Sequence, residues 1–114
     1  MSASDARNRL FDTLSTTGLR VVRDLGFSVD PPCLVLTLPS LTYEVYGPGP
    51  SAATFRVPLV VSADDRMGDQ LLNLLPGVEQ AIFDSDDAAL TTTESGSWGT
   101  PPLPCLLLTI EVSV

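Results

Sequence analysis

Residues 105–114 read CLLLTIEVSV, and their alternation is the clearest structural signal in the chain. Successive side chains of a β-strand point to opposite faces of the sheet, so this segment separates into an apolar row and a mixed row. The apolar row is Leu106, Leu108, Ile110, Val112 and Val114, and the mixed row is Cys105, Leu107, Thr109, Glu111 and Ser113. The pattern predicts a sheet strand at the end of the chain.

Three earlier segments also have strand patterns. Residues 33–38, CLVLTL, form an apolar run between prolines, which is typical of a central strand buried on both faces. Residues 41–46, LTYEVY, alternate like a strand with one face in water. Residues 53–62, ATFRVPLVVS, alternate too, but Pro58 has no N–H to donate and therefore predicts an edge position or a bulge. The intervening residues 47–52 are rich in Gly and Pro, which predicts an antiparallel hairpin with an extended tip.

Two segments have helical periodicity. Residues 4–17 place apolar side chains three and four residues apart and are followed by a glycine, which favours the end of a helix. A second stripe covers residues 67–83. Ser62 and Asp65 resemble a capping box before it, and Pro76 predicts a kink or a restart within it.

Residues 88–93, AALTTT, are a further candidate strand, so the order of elements is helix, strands, helix, strands. Each helix has one apolar stripe to bury, and both are expected on the same side of the sheet. The sequence predicts an α+β fold with a mainly antiparallel sheet of four or five strands and two helices packed on one face. With 114 residues, the chain has the size of a single domain, residues 1–114.

The composition excludes most hydrolytic and metalloenzyme mechanisms. The net charge is −8, every basic residue is arginine, and the sequence contains no histidine or lysine. The commonest general base, the Schiff-base nucleophile and the usual nitrogen ligands of metals are therefore missing. We expect no enzymatic activity, no metal and no cofactor. We also expect no direct nucleic-acid binding, because a negative field repels the phosphate backbone.

The cysteines and the clustered carboxylates are interpreted as structural. Cys33 and Cys105 lie within strand patterns and are expected to be buried thiols rather than a disulfide or a nucleophile. Carboxylates cluster at residues 64–69 and 84–87. The second cluster lacks the glycine and the later glutamate of a calcium loop. The first suits a helix N-terminus, and the second suits a solvated turn.

The start of the chain and its hydropathy predict a soluble, cytoplasmic protein without membrane contact. The first 18 residues lack the basic start and the apolar run of a signal peptide. No stretch approaches the roughly 18 apolar residues that span a bilayer.

Trp98 lies among small residues in the segment ESGSWGTPPLP, residues 94–104. A lone tryptophan in such a loop is either a lid over the core or an anchor at an interface. The sequence leaves both interpretations open.

The order and spacing of these features resemble those of the tail terminator, or tail-completion, proteins of siphophages, notably of actinobacteriophages. The resemblance covers nearly the whole chain. It rests on a first helix leading to TTGLRVV, the strand opener DPPCLVLTLP, LTYEVY with its glycine-rich loop, TFRVPLVVS, the helix DQLLNLL leading to VEQAIF, and the closing strand. The segment WGTPPLP departs from the family pattern.

The resemblance implies a structural virion protein without catalytic residues. Such a protein forms a homo-hexameric ring at the tail–neck junction, caps the tail tube, stops its polymerisation and joins it to the head. The implied partners are further copies of the chain, the major tail tube protein and the head–tail connector protein. The implied location is the host cytoplasm during assembly and the virion afterwards. Six copies of a chain of charge −8 are compatible with a channel through which DNA slides.

A ring requires two different patches on each subunit that meet each other. The expected subunit or tail-tube contacts are the Gly/Pro loop, the strand that follows it and the lone tryptophan. These residues are Tyr46, Gly47, Pro48, Gly49, Pro50, Phe55, Arg56, Pro58 and Trp98. Arg56 is either a partner for a neighbour's carboxylate or an ordinary exposed arginine.

The sequence leaves two other functions open. One is another component of the phage head–tail neck, such as a connector or stopper. The other is a non-viral adaptor domain of the same topology that binds protein ligands.

Overall fold

The computed structural model describes residues 3–23, 32–43, 49–64, 66–99 and 102–113. It contains two helices and a six-stranded sheet, which confirms the predicted α+β class. The elements are α1 (Ala3–Ser15), β1 (Arg20–Val22), β2 (Cys33–Val35), β3 (Ser40–Tyr43), β4 (Pro50–Val60), α2 (Met67–Phe83), β5 (Ala88–Trp98) and β6 (Leu103–Ser113).

The sheet is larger and less uniform than predicted. Its strand order is β1-β2-β4-β6-β5, and β3 also pairs with β4, on the edge that β2 occupies further along. All pairs are antiparallel except β1 with β2, which are parallel. The prediction of four or five strands is therefore wrong, because the short apolar segment after α1 joins the sheet as β1.

The proline-containing strand β4 lies in the middle of the sheet, so the predicted edge position is wrong. Val61 donates its N–H to Pro104 at the start of β6. Because N–H groups alternate in direction along a strand, the missing N–H of Pro58 would point the other way, toward β2. The β2–β4 ladder includes Val60 and Leu59 and does not reach Pro58, the residue next to Leu59. Pro58 thus lies where no ladder bond is lost.

One face of the sheet carries both helices, as predicted. The apolar residues of α1 and α2 join one buried cluster with alternate residues of β2, β4 and β6. From the helices come Ala6, Leu10, Leu14, Leu71, Val78 and Ile82, and from the sheet come Leu34, Leu36, Ala53, Phe55, Val57, Leu59, Val61, Leu108, Ile110 and Val112. The strict alternation of the closing strand is the pattern that fills this core.

The ends of the helices agree with the sequence-based predictions only in part. Gly18, with φ +81°, supplies the left-handed residue after α1 that L side chains avoid. No side-chain cap precedes α2, so the predicted capping box is wrong; Asp64 instead accepts a 2.8 Å hydrogen bond from the backbone N–H of Arg66. Asp65 lies outside the described residues. Helix α2 continues through Pro76 without the restart that was predicted.

Strand β5 is longer than the six residues predicted for it, extending through Trp98. Its pairing with β6 shifts between Leu90 and Thr92, which leaves Thr91 as an extra residue. The Thr91 hydroxyl donates a 3.1 Å hydrogen bond to the carbonyl of Thr109. Because of this bulge, even-numbered residues of β5 face the helices before Thr91 and odd-numbered residues face them after it. Trp98 therefore lies on the side of the sheet opposite the helices.

Phe55 and Arg56 are adjacent on β4 and offer a matched test of this architecture. Phe55 is fully buried under the helices, whereas Arg56 is exposed. We expect Phe55→Ala to lower the free energy of unfolding by ~3–5 kcal/mol, because it leaves a cavity in a closed core. Arg56→Ala should change it by less than about 0.5 kcal/mol. Urea unfolding followed by circular dichroism measures both, and equal effects would contradict the orientation of β4.

Candidate protein-interaction surfaces

The residues predicted to form an interface do not lie together on one surface. Phe55 is part of the core beneath the helices and has no exposed surface, so its prediction as a contact residue is wrong. Pro58 is buried in the central strand. Gly49 and Pro50, at the beginning of β4, are half-buried. Tyr46, Gly47 and Pro48 lie outside the described residues, and their prediction stays a prediction.

The face of the sheet opposite the helices is called the open face here. Its apolar half is a second buried cluster, made of Val22, Cys33, Val35, Val60 and Cys105. Trp98, Leu103 and Leu107 pack against this cluster. Trp98 is half-buried against this cluster, as a lid would be, and its prediction as a contact residue stays a prediction.

The polar half of the open face lies toward the other end of the strands. Arg56 and Thr109 are opposite each other on β4 and β6, and Thr54 is likewise opposite Glu111. Arg56 is exposed, and its guanidinium makes no hydrogen bond or ion pair with any described side chain. Because β4 is central, Arg56 lies on the face of the sheet rather than at an edge.

The two edges of the sheet differ in chemistry. The β5 edge is lined after the bulge by the exposed residues 92–97, TTESGS. The opposite edge is formed by β1 and, further along, by β3, all four residues of which are exposed. Near β3 the side chains of Leu38, Leu41 and Tyr43 are 74%, 36% and 61% exposed. These three residues are called the edge patch.

A groove of about 560 Å³ lies between the second half of α2 and the beginning of β5. Its lining residues are Pro76, Glu79, Gln80, Ile82, Phe83, Ala88, Ala89 and Leu90. Phe83 at its rim is 83% exposed, the largest exposed fraction among the large apolar side chains described. Sequence reasoning missed this site. The available signal was that Phe83 falls beside the apolar stripe of α2 rather than on it.

Charge is distributed unequally across the sheet. Residues 3–23, which contain α1 and β1, have four arginines against two aspartates. Residues 67–98, which contain α2 and β5, have six carboxylates and no arginine. Helix α1 packs near β1, and α2 packs near β5. Among the residues that the structure describes, the side with α1 and β1 is therefore richer in arginine and the side with α2 and β5 richer in carboxylates; these are called the basic side and the acidic side.

Arginines on the basic side are held in place by neighbouring groups. The Arg7 guanidinium donates hydrogen bonds to the carbonyl of Arg23 at 2.9 Å and to that of Leu36 at 3.5 Å. The guanidinium carbon of Arg23 lies 3.9 Å from the centre of the Phe11 ring, a cation–π arrangement. Arg23 is exposed, and no described carboxylate pairs with it.

A single described ion pair joins α1 to the turn before β5. Arg9 Nη1 lies 3.2 Å from Asp87 Oδ2, and Ser85 Oγ donates a 2.7 Å hydrogen bond to Asp87 Oδ1. The hydrogen bond from Ser85 and the contact with Arg9 lower the pKa of the Asp87 carboxyl below its ordinary value of 3.8, against an opposing desolvation effect.

The remaining ionisable groups give no sign of a chemical centre. Among the residues that the structure describes, no three His, Cys, Asp or Glu side chains lie close enough together to hold a metal ion. Cys33 and Cys105 are buried, as expected, and burial raises the pKa of the Cys105 thiol. They lie on strands that flank β4, each opposite Val60. Two strand spacings amount to roughly 10 Å, too far for a disulfide.

Neither helix in the described part of the chain is long and apolar enough to cross a membrane. The sequence matches no protein-family model, and no curated protein matches it.

The Asp87 contacts predict an acid dependence of stability. A carboxyl whose pKa is lowered by folding contributes stability above its unfolded pKa and loses that contribution as the pH falls through the folded value. We expect Asp87→Asn to destabilise the protein at neutral pH, and the difference from wild type to shrink between about pH 5 and pH 2. Urea unfolding across this pH series is the measurement.

The control is Asp86→Asn, which removes the same charge from an exposed neighbouring position. A pH-dependent loss of equal size in both variants would show that general charge, rather than the Ser85 and Arg9 contacts, is responsible.

Proposed function

We propose that this chain is a non-enzymatic structural protein of a phage tail, a tail terminator that assembles into a ring at the end of the tail tube. In this role it stops tube polymerisation and connects the tail to the head–tail connector. The proposal rests on the resemblance of sequence pattern given above and on the surfaces of the fold.

The observation that carries the proposal is that the two edges of the sheet are different and are both accessible. One edge presents Leu38, Leu41 and Tyr43, and the other presents a groove that Glu79 lines. An interface between unlike patches repeats around an axis, and it closes into a ring when the rotation per subunit divides a full turn. A single sheet with two unlike edges is suited to such an arrangement.

The length of the strands gives such a ring two further surfaces. Strands β4, β5 and β6 each have 11 residues, a rise of roughly 36 Å at about 3.3 Å per residue. If the edges contact neighbouring copies, the two ends of the strands face outward along the ring axis. One end carries residues 49–50 and the turn at residues 84–87, and the other end carries Val60 and the last β5–β6 pair, Trp98 with Leu103. These ends suit the tube and connector proteins.

The sequence offered Arg56 as a partner for a carboxylate of the neighbouring subunit, and the proposal gives it a different role. It lies on the open face of a central strand, away from both edges, so a neighbour's carboxylate across an edge joint is not its natural partner. A protein that lies against the open face would contact it directly.

Charge is consistent with a ring around DNA. A net charge of −8 on each chain gives six copies a strongly negative assembly, which would repel the DNA backbone and let it slide. The absence of histidine and lysine agrees with a role without catalysis.

The first experiment is the solution mass of the purified chain by light scattering across a concentration series, with negative-stain electron microscopy of the same samples. We expect a mass of six chains and a closed ring with a central channel. A chain that stays monomeric at all concentrations contradicts spontaneous ring formation. Co-sedimentation with assembled tail tubes then tests the capping role by itself.

The same experiment separates the alternatives. A ring that binds the connector protein but not the tail tube supports another neck component. A stable monomer that binds an extended peptide supports an adaptor domain. Known peptide-binding domains add the peptide as a strand at an accessible sheet edge and hold its side chains in adjacent pockets.

A further inference from the structure

The edge patch and the groove lie on opposite sides of the molecule but at the same level along the strands. Strand β3 pairs with the first part of β4, which pairs with the last residues of β6. Those residues of β6 pair in turn with the first residues of β5, which line the groove. One line perpendicular to the strands therefore passes through β3, β4, β6 and the groove.

Leu41 of the edge patch and the groove also lie on the helix side of the sheet. Leu41 is opposite Ala53, which faces the helices and is fully buried, so Leu41 points to that side of the sheet. The groove is formed by α2 together with Ala88 and Leu90, which pack on the same core. Leu41 and the groove thus agree in level along the strands and in the side of the sheet on which they lie.

Charge complements the apolar match. On the patch side, Arg7 joins Arg23 to Leu36, two residues before Leu38, and Arg23 has no described acidic partner. On the groove side, Glu79 lines the groove and Asp84 follows α2 directly, both of them exposed. Opposite charges at the rim of an apolar contact steer association and fix its orientation.

We propose that the edge patch of one copy docks in the α2–β5 groove of the next copy, with Leu38 and Phe83 in the apolar centre and Arg23 facing the carboxylates near Glu79. This pairing rests on the proposed function and supplies the joint between subunits. It is a heterologous contact between two copies of the same chain. Because the two surfaces lie at the same level, neighbouring copies need little displacement along the strands, which favours a closed ring over an open filament.

The test uses one substitution on each surface. Leu38→Asp damages the patch and leaves the groove, whereas Phe83→Asp damages the groove and leaves the patch. Both side chains are largely exposed, at 74% and 83%, so the fold should tolerate the changes. Each variant alone should self-associate at least about tenfold more weakly than wild type, because a charge replaces an apolar anchor at the centre of every joint.

The mixture of the two variants distinguishes this pairing from other modes of association. The intact groove of Leu38→Asp can accept the intact patch of Phe83→Asp, which leaves one undamaged joint and no continuation. We expect native mass spectrometry of an equimolar mixture to show a heterodimer of one copy of each variant. Neither variant alone should give a dimer under the same conditions.

Leu72→Asp is the matched control. Leu72 is 64% exposed on the same helix, and it does not line the groove. This variant should assemble like wild type, and circular dichroism should show that all three variants are folded.

The outcomes separate the joint from the function. A wild-type ring that persists in both single variants, or a mixture without heterodimers, overturns the pairing and leaves the ring intact. Heterodimers in the mixture together with a wild-type assembly that is an open filament support the pairing and contradict the terminator ring. A wild-type chain that stays monomeric at every concentration overturns the pairing.

Discussion

The register between β4 and β6 is the constraint on which the rest of the structure depends. The two strands pair continuously from Ala52 opposite Ser113 to Val60 opposite Cys105. A shift by one residue would move every side chain of the closing strand to the other face. Ile110 and Val112 would then leave the helices, and Thr109 and Glu111 would enter the core without partners. Burying an unpaired carboxylate is costly enough to make this alternative register unfavourable.

The same register determines which surfaces are available to partners. With the apolar rows of β4 and β6 covered by α1 and α2, the polar half of the open face is left to solvent around Arg56 and Thr109. The apolar half closes on itself through Trp98 and Leu103. Among the described large apolar side chains, the two most exposed are Phe83 and Leu38, one near each edge of the sheet. The accessible apolar surface is therefore a consequence of how the sheet is covered.

The sequence predicted the elements whose signal is local. Alternation identified the closing strand, and the spacing of Ala6, Leu10 and Leu14 identified α1 and its buried face. The parallel strand β1 was not predicted, because three residues are too short for a periodic signal and its pairing with β2 is set by tertiary contacts. The rule that proline marks an edge strand failed for β4. Pro58 lies at the gap between β2 and β3, where no ladder bond is needed. That gap cannot be seen in the sequence of β4 alone.

The candidate site was less predictable than the fold. Phe55 was assigned to an interface because its strand was expected at an edge, and a central strand places the same side chain in the core. The groove is formed where α2 contacts β5. The sequence pattern of each element near this contact gives no separate sign of a groove. The sequence around Phe83 can indicate that this aromatic ring is exposed. It cannot indicate which surface on the opposite edge complements the groove, because that depends on the strand order.

An assembly protein with accessible strand edges must also avoid indiscriminate strand pairing. Both edges are irregular in this chain: Thr91 forms a bulge in β5, and the register between β3 and β4 shifts at Tyr43. Bulges interrupt the row of backbone groups that another strand would need. Glu94 adds a charge in the longest exposed stretch of β5. Backbone pairing is thereby disfavoured at these two positions, so association there depends on side chains. Side-chain contacts between unlike surfaces can specify one neighbour in one orientation, which generic strand addition does not provide.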